Sequence, residues 1–440
     1  MKVTNWGKYP VIEKPEVSYH QGMSLNGSRW IARGMGRCYG DASLGDKMLS
    51  SLKLNRLIDF DEEKGILTCE SGVTFEDILE IFVPKGWFPS VTPGTKFVTM
   101  GGALAADVHG KNHHKEGSFS DYVLNFLLMT ASGEIIICSR TVNAEIFFAT
   151  AGGMGLTGMI LQVTIQLKKI ETSAIRMQSI KARNLTEILS MFDEFESVTY
   201  SMAWIDCLAP GRRQGRSILL KGEHATLDEV KNSDWKNHPL KVPNKFKINI
   251  PFDFPSFVLN PFTTRIFNFL YYNRQVRQEV HLLGDYDGFF YPLDMIHNWN
   301  RIYGGRGFTQ YQLVIPKEAG QEGITDVLNL IQKRGMASFL AVLKLLGNSN
   351  GLISFPVEGY TLALDFPLAR DLFPFLDELD KVVVDYGGRL YLAKDVRMSP
   401  EMLAKTYPGL DEFKAIIKKL DPAGKIRSYQ SERLGIHSIS

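Results

Sequence analysis

Three glycine-rich segments crowd into the first 160 residues, and no other feature of the chain narrows its possible folds as much. The first is Arg33-Gly34-Met35-Gly36-Arg37-Cys38-Tyr39-Gly40-Asp41. The second is Pro93-Gly94-Thr95 followed by Thr99-Met100-Gly101-Gly102-Ala103. The third is Ala151-Gly152-Gly153-Met154-Gly155-Leu156-Thr157-Gly158. Without a Cβ, backbone can approach a ligand closely and aim bare N–H groups at phosphate oxygens. One such stretch is satisfied by a tight turn. Three in one region point to a large dinucleotide lying across several loops. Gly153, Gly155 and Gly158 spell G-x-G-x-x-G, but the order of elements disfavours a Rossmann reading. That fingerprint needs a strand before it and a helix after it, so that the helix N-terminus meets the pyrophosphate. Here the helical pattern Ala144–Ala151 comes first and a strand follows.

At 440 residues the chain exceeds the ~250–300 at which one hydrophobic core stops growing, so more than one unit is expected. Its first part alternates short β-like runs with turns. Ile66–Cys69 is a short apolar run, and Thr74 is placed to cap a helix over Phe75–Phe82, with Asp77 three residues on. Leu124–Ala131 and Glu134–Cys138 flank a hairpin turn at Ser132-Gly133. Met159–Leu167 alternates as a half-buried strand does. Later come strand patterns at Gln310–Ile315 and Tyr360–Phe366 and helical patterns at Ile324–Arg334 and Leu372–Tyr386. The last segment opens on a strand-like run, Arg389–Asp395, and ends in helical patterns.

Several function classes lose support. A net charge of +2 carries no polyanion signal, which argues against a nucleic-acid partner. Cys38, Cys69, Cys138 and Cys207 are widely spaced with no CxxC pair, so buried, inert thiols in a reducing compartment are expected. The opening residues lack the apolar core of a signal peptide, and no run of ~18 apolar residues suggests a spanning helix. A cytoplasmic protein is expected, with peripheral contact at the inner membrane face as an extension. His109, His113 and His114 do not make a metal site. Gly110 and Asn112 disfavour the helix that would converge them, and no carboxylate completes the set. The absence of a G-x-S-x-G elbow disfavours a hydrolase.

The glycine segments, together with Asp107-Val108-His109-Gly110-Lys111-Asn112-His113-His114 and Gly117-Ser118-Phe119 between them, resemble the vanillyl-alcohol oxidase (PCMH-type) flavoprotein superfamily, and within it the decaprenylphosphoryl-ribose oxidases. Phe290–Asp294, Trp299-Asn300-Arg301, Gln310-Tyr311-Gln312 and Gly387–Asp395 continue the resemblance, which covers nearly the whole chain. It implies an α+β fold of two units. Residues 1–173 and 389–440 would form the FAD-binding domain, and 174–388 an antiparallel-sheet substrate domain with a lipid-side loop at about 237–277. It also implies that FAD is lined by Ala32, Arg33, Gly34, Met35, Gly36, Arg37, Cys38, Tyr39, Gly40, Asp41, Ala42, Gly94, Thr99, Met100, Gly101, Gly102, His109, Gly110, Lys111, Asn112, Ile160 and Tyr391. Several relatives bond FAD covalently through a histidine at the position of Arg37. An arginine cannot form that bond, so non-covalent FAD is expected, with Arg37 facing a pyrophosphate or pairing with Asp41.

The same resemblance makes Lys394, Tyr39 and His109 the catalytic candidates. Lys111, Phe290, Gln310, Gln312, Lys344, Thr361 and Ala363 become the substrate side. The residues themselves add reasons. A lysine inside an apolar strand end is costly unless paired or solvated. If Arg389–Asp395 is a strand, Leu392 and Lys394 face one way and Tyr391 and Ala393 the other. Lys394 then either meets a nearby acid or stabilises negative charge on a reduced flavin or a substrate phosphate. The Gln310 and Gln312 amides share a strand face and offer donors and acceptors to sugar hydroxyls, or else lie on a solvated face. His109 reads equally as a buried, hydrogen-bonded histidine. Ala363 stands where relatives carry a reactive cysteine, Thr361 replaces an asparagine and Phe290 a tyrosine. Pro251–Tyr272 holds six Phe and two Tyr, with Lys241, Lys245 and Lys247 upstream. It packs into the core or forms an apolar surface for a lipid tail. The expected reaction is FAD-dependent oxidation of a secondary hydroxyl, C2 of a polyprenylphosphoryl ribose, to a ketone. A separate NAD(P)H-dependent short-chain reductase would complete a 2-epimerisation that supplies arabinose for cell-wall arabinan. An alditol or aldonolactone oxidase acting on a free sugar is the alternative, and a non-enzymatic flavin-binding protein a further one.

Overall fold

The computed structural model describes residues 2–437, apart from Ser24, Asn26, residues 244–247 and 256–257, and Phe339. Lys245 and Lys247 lie outside the described residues. Two antiparallel sheets organise the chain. The first has six strands, ordered Ile135–Ser139, Val123–Met129, Met159–Lys169, Ile66–Glu70 and Leu57–Asp61, with Trp87–Pro89 pairing the far end of Met159–Lys169. The hairpin forms as its turn residues dictate, Gly133 taking φ +90°. The helix Phe75–Phe82 carries the expected capping box. Thr74 Oγ1 accepts from Asp77 N at 3.2 Å, and Asp77 Oδ2 accepts from Thr74 N at 2.9 Å. A three-stranded parallel sheet, Glu16–Ser18, Met48–Ser50 and Ile31–Arg33, delivers the chain into the first glycine loop.

The second sheet has eight strands, ordered Glu279–Asp285, Ala174–Ala182, Ser217–His224, Tyr200–Ile205, Ala341–Leu346, Gly359–Pro367, Phe308–Pro316 and Arg389–Leu390. Helices Gly320–Arg334 and Leu372–Asp385 pack against the strand Phe308–Pro316, burying Leu313, Ile315, Leu362 and Leu364 beneath them. The alternate residues of the same strands face the other way. Pairing sets Gln310 beside Asp365, Gln312 beside Ala363, and Lys344 beside Thr361. Register partners share a face, so one uncovered face collects polar groups from three adjacent strands. The final helices return to the first unit: Leu410–Leu420 packs on Ala144–Thr150, and Trp30 bridges Ile426.

Two expectations are corrected or decided here. The strand starting at Arg389 stops at Leu390, and residues 391–395 form a turn in which Lys394 N and Asp395 N donate to Tyr391 O at 2.9 and 3.1 Å. Strand alternation therefore does not apply to Lys394. Tyr391 and Ala393 still share one cluster, with Phe355, while Leu392 joins the main core, and the Lys394 ammonium lies over the Tyr39 ring. The aromatic segment is not core. Its second part forms a helix, Pro261–Arg274, capped by Asn260, and exposes Phe262 (71%), Phe269 (56%) and Leu270 (61%); Phe257 lies outside the described residues. Its inner side is pinned by buried Asn268, which donates to Asp206 Oδ1 at 2.7 Å, while Arg216 pairs with the other oxygen.

Thr74→Ala removes the cap side of the box, and a loss of about 1 kcal/mol in urea unfolding is expected with unchanged cofactor content.

Candidate active site

The polar face of the large sheet meets the glycine loops of the first unit along a seam, where Gln312 reaches His109 and Lys394 reaches Tyr39. Loop Arg33–Asp41 leaves the parallel sheet and turns at Gly36, φ +61°. A Cβ on Gly34 would sit 2.4 Å from Thr99 Oγ1, so this loop lies hard against the start of helix Met100–Ala105. Thr99 caps that helix by accepting from Gly102 N, and Gly101 N donates to Ser71 O at 2.8 Å. Around Gly94 there is open space. Ile160 and Ala42 are buried, and Met35 is partly exposed.

The loop's side chains divide by task. Arg33 turns inward to Ser43 Oγ (3.1 Å), Thr4 O (2.9 Å), Asn5 and Glu16, so it braces the N-terminal strand. Asp41 is taken by Arg433 and not by Arg37, which corrects the pairing suggested by their spacing. The guanidinium of Arg37 lies 4.2 Å from the Trp6 ring centroid and 5.1 Å from that of Phe97. Desolvation there lowers its pKa, with Asp294 opposing the shift. Cys38 Sγ lies 3.3 Å from Ser43 Oγ, and burial pushes the thiol up, away from reactivity. Tyr39 is edge-on to Phe308 at 5.2 Å, and the Lys394 ammonium sits 4.0 Å from the centre of its ring.

His109 anchors the opposite wall. Its Nε2 lies 2.9 Å from Gln312 Nε2. With the amide donating, Nε2 accepts, and Nδ1 carries the proton. That Nδ1 is buried with no hydrogen-bond partner. Burial, then repulsion from Lys344, holds the ring neutral. His109 also packs on Phe355 and Tyr391, whose hydroxyl donates to Ala106 O at 2.8 Å. The other histidines are bolts. His113 joins Ser118 Oγ to Gly347 N, and His114 joins Val198 O. Among the described residues no group of His, Cys, Asp or Glu is arranged for a metal.

Lys111 donates to the carbonyl oxygens of Phe289 and Phe290 and lies 4.7 Å from the Phe289 ring centroid. Asn112 Nδ2 donates to Ser90 O at 2.8 Å, and Gly110 leaves room for the Asn112 side chain. Phe290 itself is buried among Phe88, Tyr200 and Phe289. Gln312 also reaches Thr361 Oγ1 at 3.3 Å, and Thr361 donates to Leu313 O. Ala363 lies between Gln312 and Val342 in register. Sequence reasoning missed Asp365. It is wholly buried, accepts from Gln310 Nε2 (2.6 Å) and Tyr303 OH (3.1 Å), and is pushed up to about 6 by burial. The signal was present: Asp365 continues the period-two face of Thr361 and Ala363.

The electrostatics of the seam are lopsided. Lys111 is lowered to about 7, Lys344 to about 8 and Lys394 to about 8, in each case chiefly by desolvation. None of the three forms an ion pair among the described residues. Lys344 adds repulsion to Lys111, Lys394, His109 and His113. Of the three, Lys394 is drawn by Asp365. Desolvated ammonium groups in excess of carboxylate, an unpartnered imidazole N–H and close-packed glycine loops suit an anionic dinucleotide with an electron-accepting ring, and FAD has both parts.

Comparisons with known proteins agree. Residues 23–139 match the FAD binding domain family, and residues 366–434 the D-arabinono-1,4-lactone oxidase family. Over 412 residues the chain is 37% identical to the decaprenylphosphoryl-beta-D-ribose oxidase of Mycolicibacterium smegmatis, spanning 92% of this chain and 88% of that protein. An uncharacterized protein in the mprA 5′ region of Streptomyces coelicolor is 33% identical over 377 residues, 83% of this chain and 100% of that one. The L-gulonolactone oxidase of Scyliorhinus torazame is 24% identical over 428 residues, 89% of this chain and 86% of that one. The fold is the two-domain PCMH-type α+β fold, and the cofactor is FAD.

With Arg37 on the loop, acid precipitation of the holoprotein should release all flavin into the supernatant; colour retained in the pellet would contradict non-covalent binding. The lysines predict a pH effect. Their folded values lie below the free value of 10.5. The unfolded chain therefore binds more protons above about pH 7, and stability of the FAD-free protein rises with pH from there. Lys344→Met should raise Tm at pH 7 and flatten that rise, as read by calorimetry from pH 6.5 to 9.5.

Proposed function

Since the chain belongs to the decaprenylphosphoryl-β-D-ribose oxidase family and is an FAD-dependent oxidoreductase, we propose that it oxidises a secondary hydroxyl, C2 of a polyprenylphosphoryl ribose, to a ketone. In this reading residues 1–173 with 389–440 hold the cofactor and 174–388 hold the substrate. The observation that carries it is the composition of one sheet face. Gln310, Gln312, Thr361 and Lys344 stand in register on three strands, opposite Lys394 and His109. Amides and a hydroxyl suit sugar hydroxyls, and unpaired lysines suit a phosphodiester.

Bound FAD supplies the two-electron acceptor. The loop Arg33–Ala42, helix start Thr99–Gly102, run His109–Asn112, Ile160 and Tyr391 would hold it, with Gly94 leaving space beside them. Neutral His109 would donate from Nδ1, because Gln312 occupies Nε2. Lys394 stabilises negative charge that develops at the seam, since its ammonium packs on the Tyr39 ring and, though attracted by Asp365, forms no ion pair with it among the described residues. Gln310 cannot swing freely, because Asp365 holds its amide; Gln312 is likewise held by His109 and Thr361. Both present a fixed orientation to a ring hydroxyl. Ala363 carries no nucleophile, so compounds that capture a cysteine there in relatives should leave this protein unmodified.

A separate NAD(P)H-dependent short-chain reductase would reduce the ketone to give net epimerisation. The exposed helix Pro261–Arg274 would handle the polyprenyl tail and touch the membrane surface peripherally. Exposed Phe252, Ile266 and Leu270 and basic Arg265, Arg274 and Lys241 around it support that role. No helix among the described residues is long and apolar enough to cross a membrane. One observation favours a second reading. The match of residues 366–434 to a D-arabinono-1,4-lactone oxidase model fits a small free sugar.

Anaerobic flavin bleaching with prenylphosphoryl ribose, prenylphosphoryl arabinose, free alditols and aldonolactones separates the two. Bleaching by the first alone is expected, and bleaching by a lactone alone would replace the proposal with the second reading. Lys394→Ala should retain FAD and Tm while bleaching slows roughly 10²-fold, and Lys394→Arg should not restore the rate. Phe262→Ser with Phe269→Ser should leave bleaching by a short-chain substrate intact and abolish co-sedimentation with phosphatidylglycerol vesicles.

A further inference from the structure

We propose that Arg433 is a positioning residue that clamps the cofactor loop to the turn carrying Lys394, by bridging one buried carboxylate from each. Its Nε and Nη2 donate to the two oxygens of Asp41 at 3.1 and 2.8 Å. The same Nη2 donates to Asp395 Oδ2 at 2.9 Å, and Nη1 donates to Met398 O at 2.8 Å. Asp41 stands at the end of the loop Arg33–Asp41, and Asp395 is the residue after Lys394. Asp395 Oδ1 is already engaged by Arg397 N and Met398 N, so Oδ2 is the oxygen left for Arg433. The two segments also touch directly. Tyr39 N donates to Ala393 O at 3.0 Å, and a Cβ on Gly40 would lie 2.1 Å from Asp395 O. Arg433 ends the helix Tyr429–Arg433, whose Gln430 donates to Leu392 O at 2.7 Å. One short C-terminal helix thus grips both the loop and the turn.

The charge count shows why an arginine is needed. Two buried carboxylates face each other with one guanidinium between them. Burial and Asp395 push Asp41 up, and Arg433 opposes them. The other charged and titratable groups facing the triad are Cys38 on the loop, Lys394 and Arg397 flanking Asp395, Asp380 from helix Leu372–Asp385, and Tyr407 after helix Pro400–Thr406. Arg397 is occupied by Asp377 and Asp380 at 2.6 and 2.5 Å and does not replace Arg433. Without Arg433 one carboxylate must take up a proton or the segments must part. A displacement of about 1 Å at a reacting centre costs on the order of 10²-fold in rate.

The inference rests on FAD lying against this loop, so the first readout needs no substrate. FAD dissociation is followed by flavin fluorescence in wild type, Arg433→Gln, Arg433→Lys, and Arg433→Gln combined with Asp395→Asn. At pH 8, Arg433→Gln should weaken FAD by about tenfold or more, the scale of one lost charged hydrogen-bond set. The loss should shrink at a lower pH, as protonation relieves the facing carboxylates, and Asp395→Asn should reverse it at pH 8. Bleaching of the FAD-saturated variant should slow with little change in KM. Wild-type FAD affinity and bleaching rate in Arg433→Gln, with only Tm reduced, would overturn the proposal. So would a loss equal at both pH values and untouched by Asp395→Asn. If Arg433→Gln aggregates, Arg433→Lys decides: weakened FAD that Asp395→Asn restores supports the clamp, and wild-type affinity overturns it. A wild-type protein that binds no FAD would instead sink the functional reading beneath.

Discussion

Desolvated positive charge in excess of nearby carboxylate is the constraint around which this molecule is arranged. Lys111, Lys344 and Lys394 come from three separate segments: the run after helix Met100–Ala105, a central strand of the large sheet, and the turn 391–395. Desolvation disfavours each of their charges, and Lys344 repels the other two. Lys111 finds two carbonyl oxygens, and Lys394 finds an aromatic face and the attraction of Asp365. Asp365 lies on the same face, where Gln310 and Tyr303 engage it; burial pushes it up to about 6, against the pull of Lys394. A cleft built this way is poised for anions, which is what a dinucleotide cofactor and a sugar phosphate supply.

The surrounding structure is tightly held around the lysines and exposes apolar surface on one outer helix. Gln310, Gln312, Thr361 and Lys344 stand on strands whose opposite face is buried under two long helices. A one-residue slip of register would bury the amides and expose the leucines, so the hydrophobic core itself holds the polar face in place. The glycine loops close the other side by contacts too tight for any Cβ, as at Gly34 against Thr99 and Gly40 against Asp395. The helix Pro261–Arg274 lies outside this frame. It is fastened by the buried link of Asn268, Asp206 and Arg216 and by Tyr272, whose hydroxyl donates to Ala182 O, and leaves Phe262, Phe269 and Leu270 exposed.

Much of this was legible in the chain. The capping pair Thr74 and Asp77, the hairpin at Ser132-Gly133 and the strands around Gln310 and Tyr360 follow local rules, and the structure has them within a residue or two. The run Arg389–Asp395 misled because its continuous apolar stretch Leu390–Ala393 imitates a buried strand. The chain turns there to meet the cofactor loop, a contact some 350 residues away in sequence. Asp41 misled for the same reason. Arg37 is its neighbour in sequence, but Arg433 reaches it in space with better geometry.

What the sequence determined by itself are the properties carried by local chemistry: three glycine-rich loops, a capped helix after Thr74, a hairpin at Ser132-Gly133, and amides at alternate strand positions. Only the tertiary structure decided which charges lack partners, which proton His109 keeps, that Asp365 belongs to the site, and that the aromatic segment faces outward. Those outcomes depend on desolvation and on groups brought together from distant segments. Neither is set by any stretch of chain on its own, because the energy of a buried charge is fixed by everything packed around it.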